Sequence, residues 1–125
     1  MTMQHYIGTK LVQAEPEARD GNPGYKIIYP DGYNSWSPQD TFEQAYVGLG
    51  DLTGQSEFLR KLIAERGQIA DQLKKIDHLL ENLSLSDGIV NEAGHSKLLE
   101  QQKKILIELS DVLKQRIDLF VLPAN

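Results

Sequence analysis

From Gly54 to Leu122 the apolar residues recur at helical intervals. Leu59, Leu62, Ile69, Leu73, Ile76, Leu80 and Leu83 keep the three-and-four spacing of a helix seam. Leu98, Ile105, Leu109, Val112 and Leu119 continue the same rule further on. The spacing predicts a first long helix over about Gln55 to Asn82, roughly 40 Å at 1.5 Å per residue. A second starts near Gly94 to Ser96 and ends near Phe120, with Pro123 closing it. Ser84, Ser86, Asp87, Gly88, Asn91 and Gly94 make the turn between them. Beside the seam of the second helix runs another stripe, Leu99, Leu106, Leu113, Ile117 and Phe120. One stripe serves a two-helix pair. Two stripes call for a wider burial partner, either more helices or another subunit.

Arg66, Gln102 and Arg116 fall on seam positions where an aliphatic residue is expected. An antiparallel hairpin centred near Ile89 would bring Arg66 roughly level with Leu113 and Arg116. Two guanidiniums at one height repel unless an anion or a carboxylate lies between them. One reading is structural: both side chains snorkel outward, or pair with Glu65 and Asp118. The other is an anion clamp suited to a phosphate-bearing ligand. Gly67, next to Arg66, is either tolerated in the helix or admits a close approach by another backbone or a flat ligand.

The first fifty residues show a shorter period. Met3 to Gln13 is rich in β-formers and reads as a strand, and Ala14 to Gly24 reads as a loop. Tyr25 to Tyr29 is a strand, Pro30-Asp31-Gly32 a tight turn and Tyr33 to Trp36 the returning strand. Tyr25, Tyr33 and Trp36 are expected to share one aromatic face. Ser37-Pro38-Gln39-Asp40 opens a short helix to about Tyr46, with Ser37 as N-cap and Pro38 at its first position. Phe42 and Tyr46 would pack on the sheet. Gly48, Gly50, Thr53 and Gly54 then form a linker. The predicted class is α+β: a small N-terminal antiparallel sheet with a short helix over 1–50, then a long antiparallel helical hairpin over 55–122 that oligomerises.

The chain has 125 residues, a formal net charge of −5, 40% hydrophobic and 25% charged residues. That is an ordinary balance for a folded domain, and its net charge opposes binding to a DNA or RNA duplex. An anionic ligand would need a local basic pocket. There are no cysteines, which excludes disulfides and thiolate metal sites and fits a reducing cytoplasm. Met1 to Thr9 lacks the basic region and apolar run of a signal peptide, and no apolar stretch suits a membrane span. His5, His78 and His95 show no metal-ligand spacing, and no nucleophile–histidine–acid set stands out. The glycines at 48, 50 and 54 do not form a nucleotide-binding loop after a strand. No enzyme, metal or cofactor is therefore expected.

Ile7-Gly8-Thr9-Lys10, the run from Tyr29 through Gly32-Tyr33 and Ser35-Trp36-Ser37-Pro38, then Phe42 and Ala45-Tyr46, resemble a family of small phage proteins. Gln102, Leu113 and Arg116-Ile117 are similar to the second helix of the hairpin shared by the Thoeris anti-defence sponge and the anti-CBASS sponge. The combination resembles the Thoeris anti-defence sponge over nearly the whole chain. The resemblance implies a non-catalytic protein of the host cell cytoplasm. It would hold cyclic ADP-ribose isomers made by TIR-domain proteins, with CBASS cyclic di- or trinucleotides as further ligands. Homodimers that build hexamers are implied too. Arg116 matches the family's helix-end arginine. Leu79 stands where the family's first helix often carries phenylalanine, and Leu106 and Leu109 stand in its "M-x-x-Y" stretch.

The candidate ligand-binding residues are thus Arg116, Arg66, Asn91, His95, Leu79, Gln102 and Trp36. Asn91 and His95, near the hairpin tip, would contact ligand only beneath a partner subunit. Trp36 serves either as a stacking platform or as sheet core. Two rival classes remain: a phage structural or assembly protein, and an enzyme that degrades the signal.

Overall fold

In the computed structural model, residues 2–84 and 87–120 are described, and the chain divides into two units, Met1–Tyr46 and Val47–Asn125. The class is α+β. Strands β1 (Gln13–Pro16), β2 (Gly24–Ile28) and β3 (Asn34–Pro38) precede helix α1 (Gln39–Ala45) and the long helices α2 (Glu57–Glu81) and α3 (Glu92–Asp118). The glycine-rich linker falls with the hairpin rather than between the two units.

The first unit is a three-stranded antiparallel sheet in the order β1-β2-β3. Its first hairpin was expected to be loop. Asp20 (φ 51°) and Gly21 (φ 79°) both adopt left-handed backbone, and Arg19 and Asn22 exchange two backbone hydrogen bonds of 2.9 Å. That is a two-residue primed turn, which Asp-Gly favours. The strand expected over Met3 to Gln13 is instead Gln13–Pro16. Gln13 pairs with Ile28, and beyond Ile28 the partner strand turns away at Pro30, so the chain before Gln13 has no ladder to join. The second turn forms as expected. Gly32 N–H donates to Tyr29 O at 2.9 Å, and Gly32 takes φ 89°.

This register corrects the expected aromatic face. Tyr25 pairs with Ser37, while Trp36 pairs with Lys26. Neighbouring positions point to opposite sides of a sheet, so Trp36 and Tyr25 lie on opposite faces. On one face Tyr25 stacks on Phe42 of α1 at 4.3 Å, Phe42 stacks on Tyr46 at 4.8 Å, and Ile27 is buried. On the other face the Trp36 indole lies over Gly24, where a Cβ would fall on the ring and on the Ser37 carbonyl. Ser37 and Pro38, expected to start the helix, remain in β3, and α1 has no side-chain N-cap. Their pairing with Tyr25 and Gly24 holds them extended.

The second unit is the hairpin. Ser56 caps α2 by accepting from Leu59 N–H at 3.2 Å, and Asn91 caps α3 by accepting from Gly94 N–H at 2.8 Å. Phe58 meets Phe120, Arg66 meets Ser110, and Asp77 meets Lys103, so α2 and α3 run antiparallel. Leu62, Ile69 and Leu113 form the core, with Leu73, Leu106 and Ile117 packed against it. Pro123 and the expected end at Leu122 lie outside the described residues, as does Ser86 of the connecting turn. Gly67 is neither idle nor a ligand gap: Leu49 of the linker packs where its Cβ would be.

Two substitutions probe the units separately. Leu113 is 1% exposed, so Leu113→Ala should destabilise the hairpin by about 2–5 kcal/mol, seen as a lower urea midpoint of the helical circular dichroism. Gly24→Ala should cost about 1–3 kcal/mol through overpacking. It should also red-shift the emission of Trp36, the single tryptophan.

Candidate functional site

The stripe expected to be the seam of the second helix is not the one that packs. Leu99 and Leu113 are buried and Leu106 and Ile117 half-buried against α2. Leu98 (63% exposed), Ile105, Leu109, Val112 and Leu119 (84% exposed) lie on the outside. Both stripes have helical spacing and sit about 100° apart on a 3.6-residue helix. Only one of them can face α2.

Gln102 and Arg116 lie on this exposed stripe. Along α3 it reads Leu98, Gln102, Ile105, Leu109, Val112, Arg116 and Leu119, in unbroken steps of four and three. Among the described residues the Arg116 guanidinium has no hydrogen-bond or ion-pair partner, and neither expected acid, Glu65 or Asp118, pairs with it. Asp118 is taken by Lys114 at 2.8 Å. Arg116 is therefore a free cation set among aliphatic side chains.

Arg66 is placed differently. It is half-buried, and its Nε donates to the backbone carbonyl of Ser110 at 3.1 Å. Ser110 is six residues from Arg116, about 9 Å along the helix axis. The stagger set by Phe58–Phe120 and Asp77–Lys103 brings Leu62, not Arg66, level with Arg116. Within one chain the two guanidiniums belong to different levels, and Arg66 ties α2 to α3.

The remaining candidates are dispersed. The Asn91 carboxamide oxygen is engaged in capping α3, and His95 is half-buried in its first turn. Leu79 is 37% exposed near the C-terminal end of α2. On the sheet unit, Trp36 donates its indole N–H to the Glu17 carbonyl at 2.7 Å, and the Arg19 guanidinium lies 5.6 Å from its ring. These contacts and Gly24 give Trp36 a packing role.

One arrangement on this unit was not anticipated. Lys10, Tyr29, Pro30, Asp31 and Tyr33 line an open cleft of about 460 Å³. Tyr29 and Tyr33 stack at 5.9 Å, and the Lys10 ammonium sits 5.2 Å from the Tyr29 ring. The hydroxyl of Tyr46 is harder to ionise than usual because of its burial and then of the neighbouring Tyr29. Tyr25 shifts the same way, chiefly through its 2.9 Å hydrogen bond to Glu43. The turn residues Pro30-Asp31-Gly32 are the sequence signal that brings Tyr29 and Tyr33 together.

Among the described residues no cluster of histidine and carboxylate side chains could hold a metal ion, and no helix is long and apolar enough to cross a membrane. Comparison of the chain with protein-family models, curated proteins and solved structures finds no match. The two arginines should separate experimentally. Arg66→Ala removes a charged donor between the helices and should cost about 1–2 kcal/mol in denaturant unfolding. Arg116→Ala should cost less than about 0.5 kcal/mol.

Proposed function

We propose that this chain is a non-catalytic binding protein that sequesters a cyclic nucleotide signal. The first ligand class is the cyclic ADP-ribose isomers of TIR-domain proteins, and the second is the cyclic di- and trinucleotides of CBASS signalling. Arg116 carries the reading: an unpaired guanidinium, exposed on α3 and flanked by aliphatic side chains. A guanidinium matches a phosphate with paired donors, and apolar neighbours suit the face of a base. The motif resemblance over the sheet segment and the second helix supports the same class. Sequestration needs tight binding and slow release rather than turnover.

A second reading is a phage structural or assembly protein. It is favoured by the five exposed aliphatic residues of the α3 stripe, which suit oligomerisation with or without a ligand.

Thermal unfolding with glycocyclic ADP-ribose isomers, cyclic dinucleotides and cyclic trinucleotides separates the two, with ADP-ribose and NAD as linear controls. A sponge gains about 2.7 kcal/mol from one cyclic class at a hundredfold excess over its Kd. Heat then releases that ligand intact, whereas a degradative enzyme releases product. Arg116→Ala should abolish the gain and leave ligand-free unfolding unchanged. A flat panel rejects the sponge and leaves the assembly protein.

A further inference from the structure

We propose that the outer edge of β3 and the tyrosine cleft at its start seat an extended segment of a partner protein. One arginine of that segment stacks on Tyr33 and pairs with Asp31. The segment extends the sheet as a fourth strand. The inference goes beyond the nucleotide reading: it concerns the sheet unit and leaves Arg116 untouched.

Strand β3 is an edge of the sheet, with β2 on one side and no strand on the other. Tyr29 N–H donates to Tyr33 O, and Gln39 N–H donates to Pro23 O. In an antiparallel ladder the hydrogen-bonded pairs fall at every second position between them. Ser35 and Ser37 therefore turn their main-chain groups toward Ile27 and Tyr25 of β2. Asn34 and Trp36, opposite Ile28 and Lys26, turn theirs outward. Among the described residues these outward N–H and C=O groups have no backbone partner. Such a row is a template for one more strand. It is short, because Pro38 offers no N–H, so a side-chain anchor must add to the main-chain pairing.

The anchor lies at the start of this edge. Tyr29 and Tyr33 face each other across the second hairpin and stack at 5.9 Å. Lys10, on the run into β1, puts its ammonium 5.2 Å from the Tyr29 ring. The sheet order β1-β2-β3 thus continues as a row of Lys10, Tyr29 and Tyr33, and the ring at the open end is 66% exposed. On a fourth strand the residue opposite Tyr33 projects to the same face, within side-chain contact. Charge selects that residue. A tyrosine face attracts a cation, as Tyr29 does with Lys10. Asp31 lines the cleft beside Tyr33, and its Oδ1 accepts from Tyr33 N–H at 3.0 Å, which holds the carboxylate there. Among the described residues no cation pairs with that carboxylate. Over Met1–Tyr46 six acidic residues stand against Lys10, Arg19 and Lys26, and Arg19 is already paired with Glu17. A planar guanidinium stacks on a ring while its N–H groups meet a carboxylate, a combination that a lysine ammonium, as a point charge, serves less well. The occupant is therefore an arginine on an extended segment, and the partner is a protein with a basic docking surface.

Panning a displayed random-peptide library on the intact chain tests this, with Asp31→Asn as the counter-selection target. Enriched peptides should share one arginine flanked by β-branched residues. The most enriched peptide, made synthetically, should shift the Asn34 and Trp36 amide resonances and the Tyr33 ring resonances in heteronuclear NMR. Tyr33→Ala and Asp31→Asn should each weaken it several-fold. Tyr33→Phe should retain it, and Arg116→Ala should bind it unchanged. Replacing its arginine by glutamate should abolish binding. No arginine enrichment, or tighter binding of the glutamate peptide, would overturn the cation site. Shifts confined to the cleft, with the Asn34 and Trp36 amides unmoved, would overturn the added strand. Concentration-dependent shifts of those amides without peptide would assign the edge to a second copy and so reject the partner. None of these readouts involves a nucleotide, so they remain decisive if the nucleotide panel is flat.

Discussion

An α-hairpin can bury one stripe of each of its helices, and α3 carries two. This geometric limit governs the second unit. Leu113, at 1% exposure, packs against Leu62 and Ile69 of α2, and Leu99 is buried on the same stripe of α3. The other stripe is left to solvent along the same 27-residue helix. Burying a leucine or isoleucine side chain stabilises a fold by about 1.5–3 kcal/mol, so five such residues left outside are a substantial forgone contribution. A two-helix unit cannot recover it alone. The exposed stripe, in which Gln102 and Arg116 are the polar positions, is the consequence of that surplus.

The sheet unit solves a different problem with a small area. β1, β2 and β3 are four or five residues each, too short to bury much by themselves. One face closes on α1 through the Tyr25–Phe42–Tyr46 stack. The other is held by a single indole, which packs on a glycine, bonds the Glu17 carbonyl and lies beside Arg19. That allocation makes Trp36 a structural element of the sheet, and it turns attention to the Tyr29–Tyr33 cleft as the aromatic surface this unit offers to solvent.

Much of this architecture was legible in the residues because the relevant physics is local. Helical spacing located α2 and α3, and the Pro30-Asp31-Gly32 turn located the second hairpin. Asp20-Gly21 was equally local and could have been read as a primed turn. What escaped was decided by partners distant in sequence. Leu98 and Leu99 begin stripes of the same period, so spacing cannot say which one meets α2. The face of Trp36 follows from a register in which Lys26, not Tyr25, is its partner. Ser37 looked like a helix cap, but cross-strand pairing kept it in β3. Gly67 acquires its meaning from Leu49, eighteen residues earlier. Of the candidate site, Arg116 and Gln102 were legible as breaks in an apolar seam. The role of Arg66 was not, because its acceptor is a backbone carbonyl on the other helix.

The proposed function turns on whether the unpaired Arg116 guanidinium of α3 binds the phosphates of a cyclic nucleotide. Titration calorimetry of the unmodified protein and of Arg116→Ala with glycocyclic ADP-ribose isomers, cyclic dinucleotides and cyclic trinucleotides tests it most directly. The account predicts saturable binding of one cyclic class to the unmodified protein and none to Arg116→Ala, whose helical circular dichroism persists. No binding of any class, or equal binding by Arg116→Ala, would contradict it.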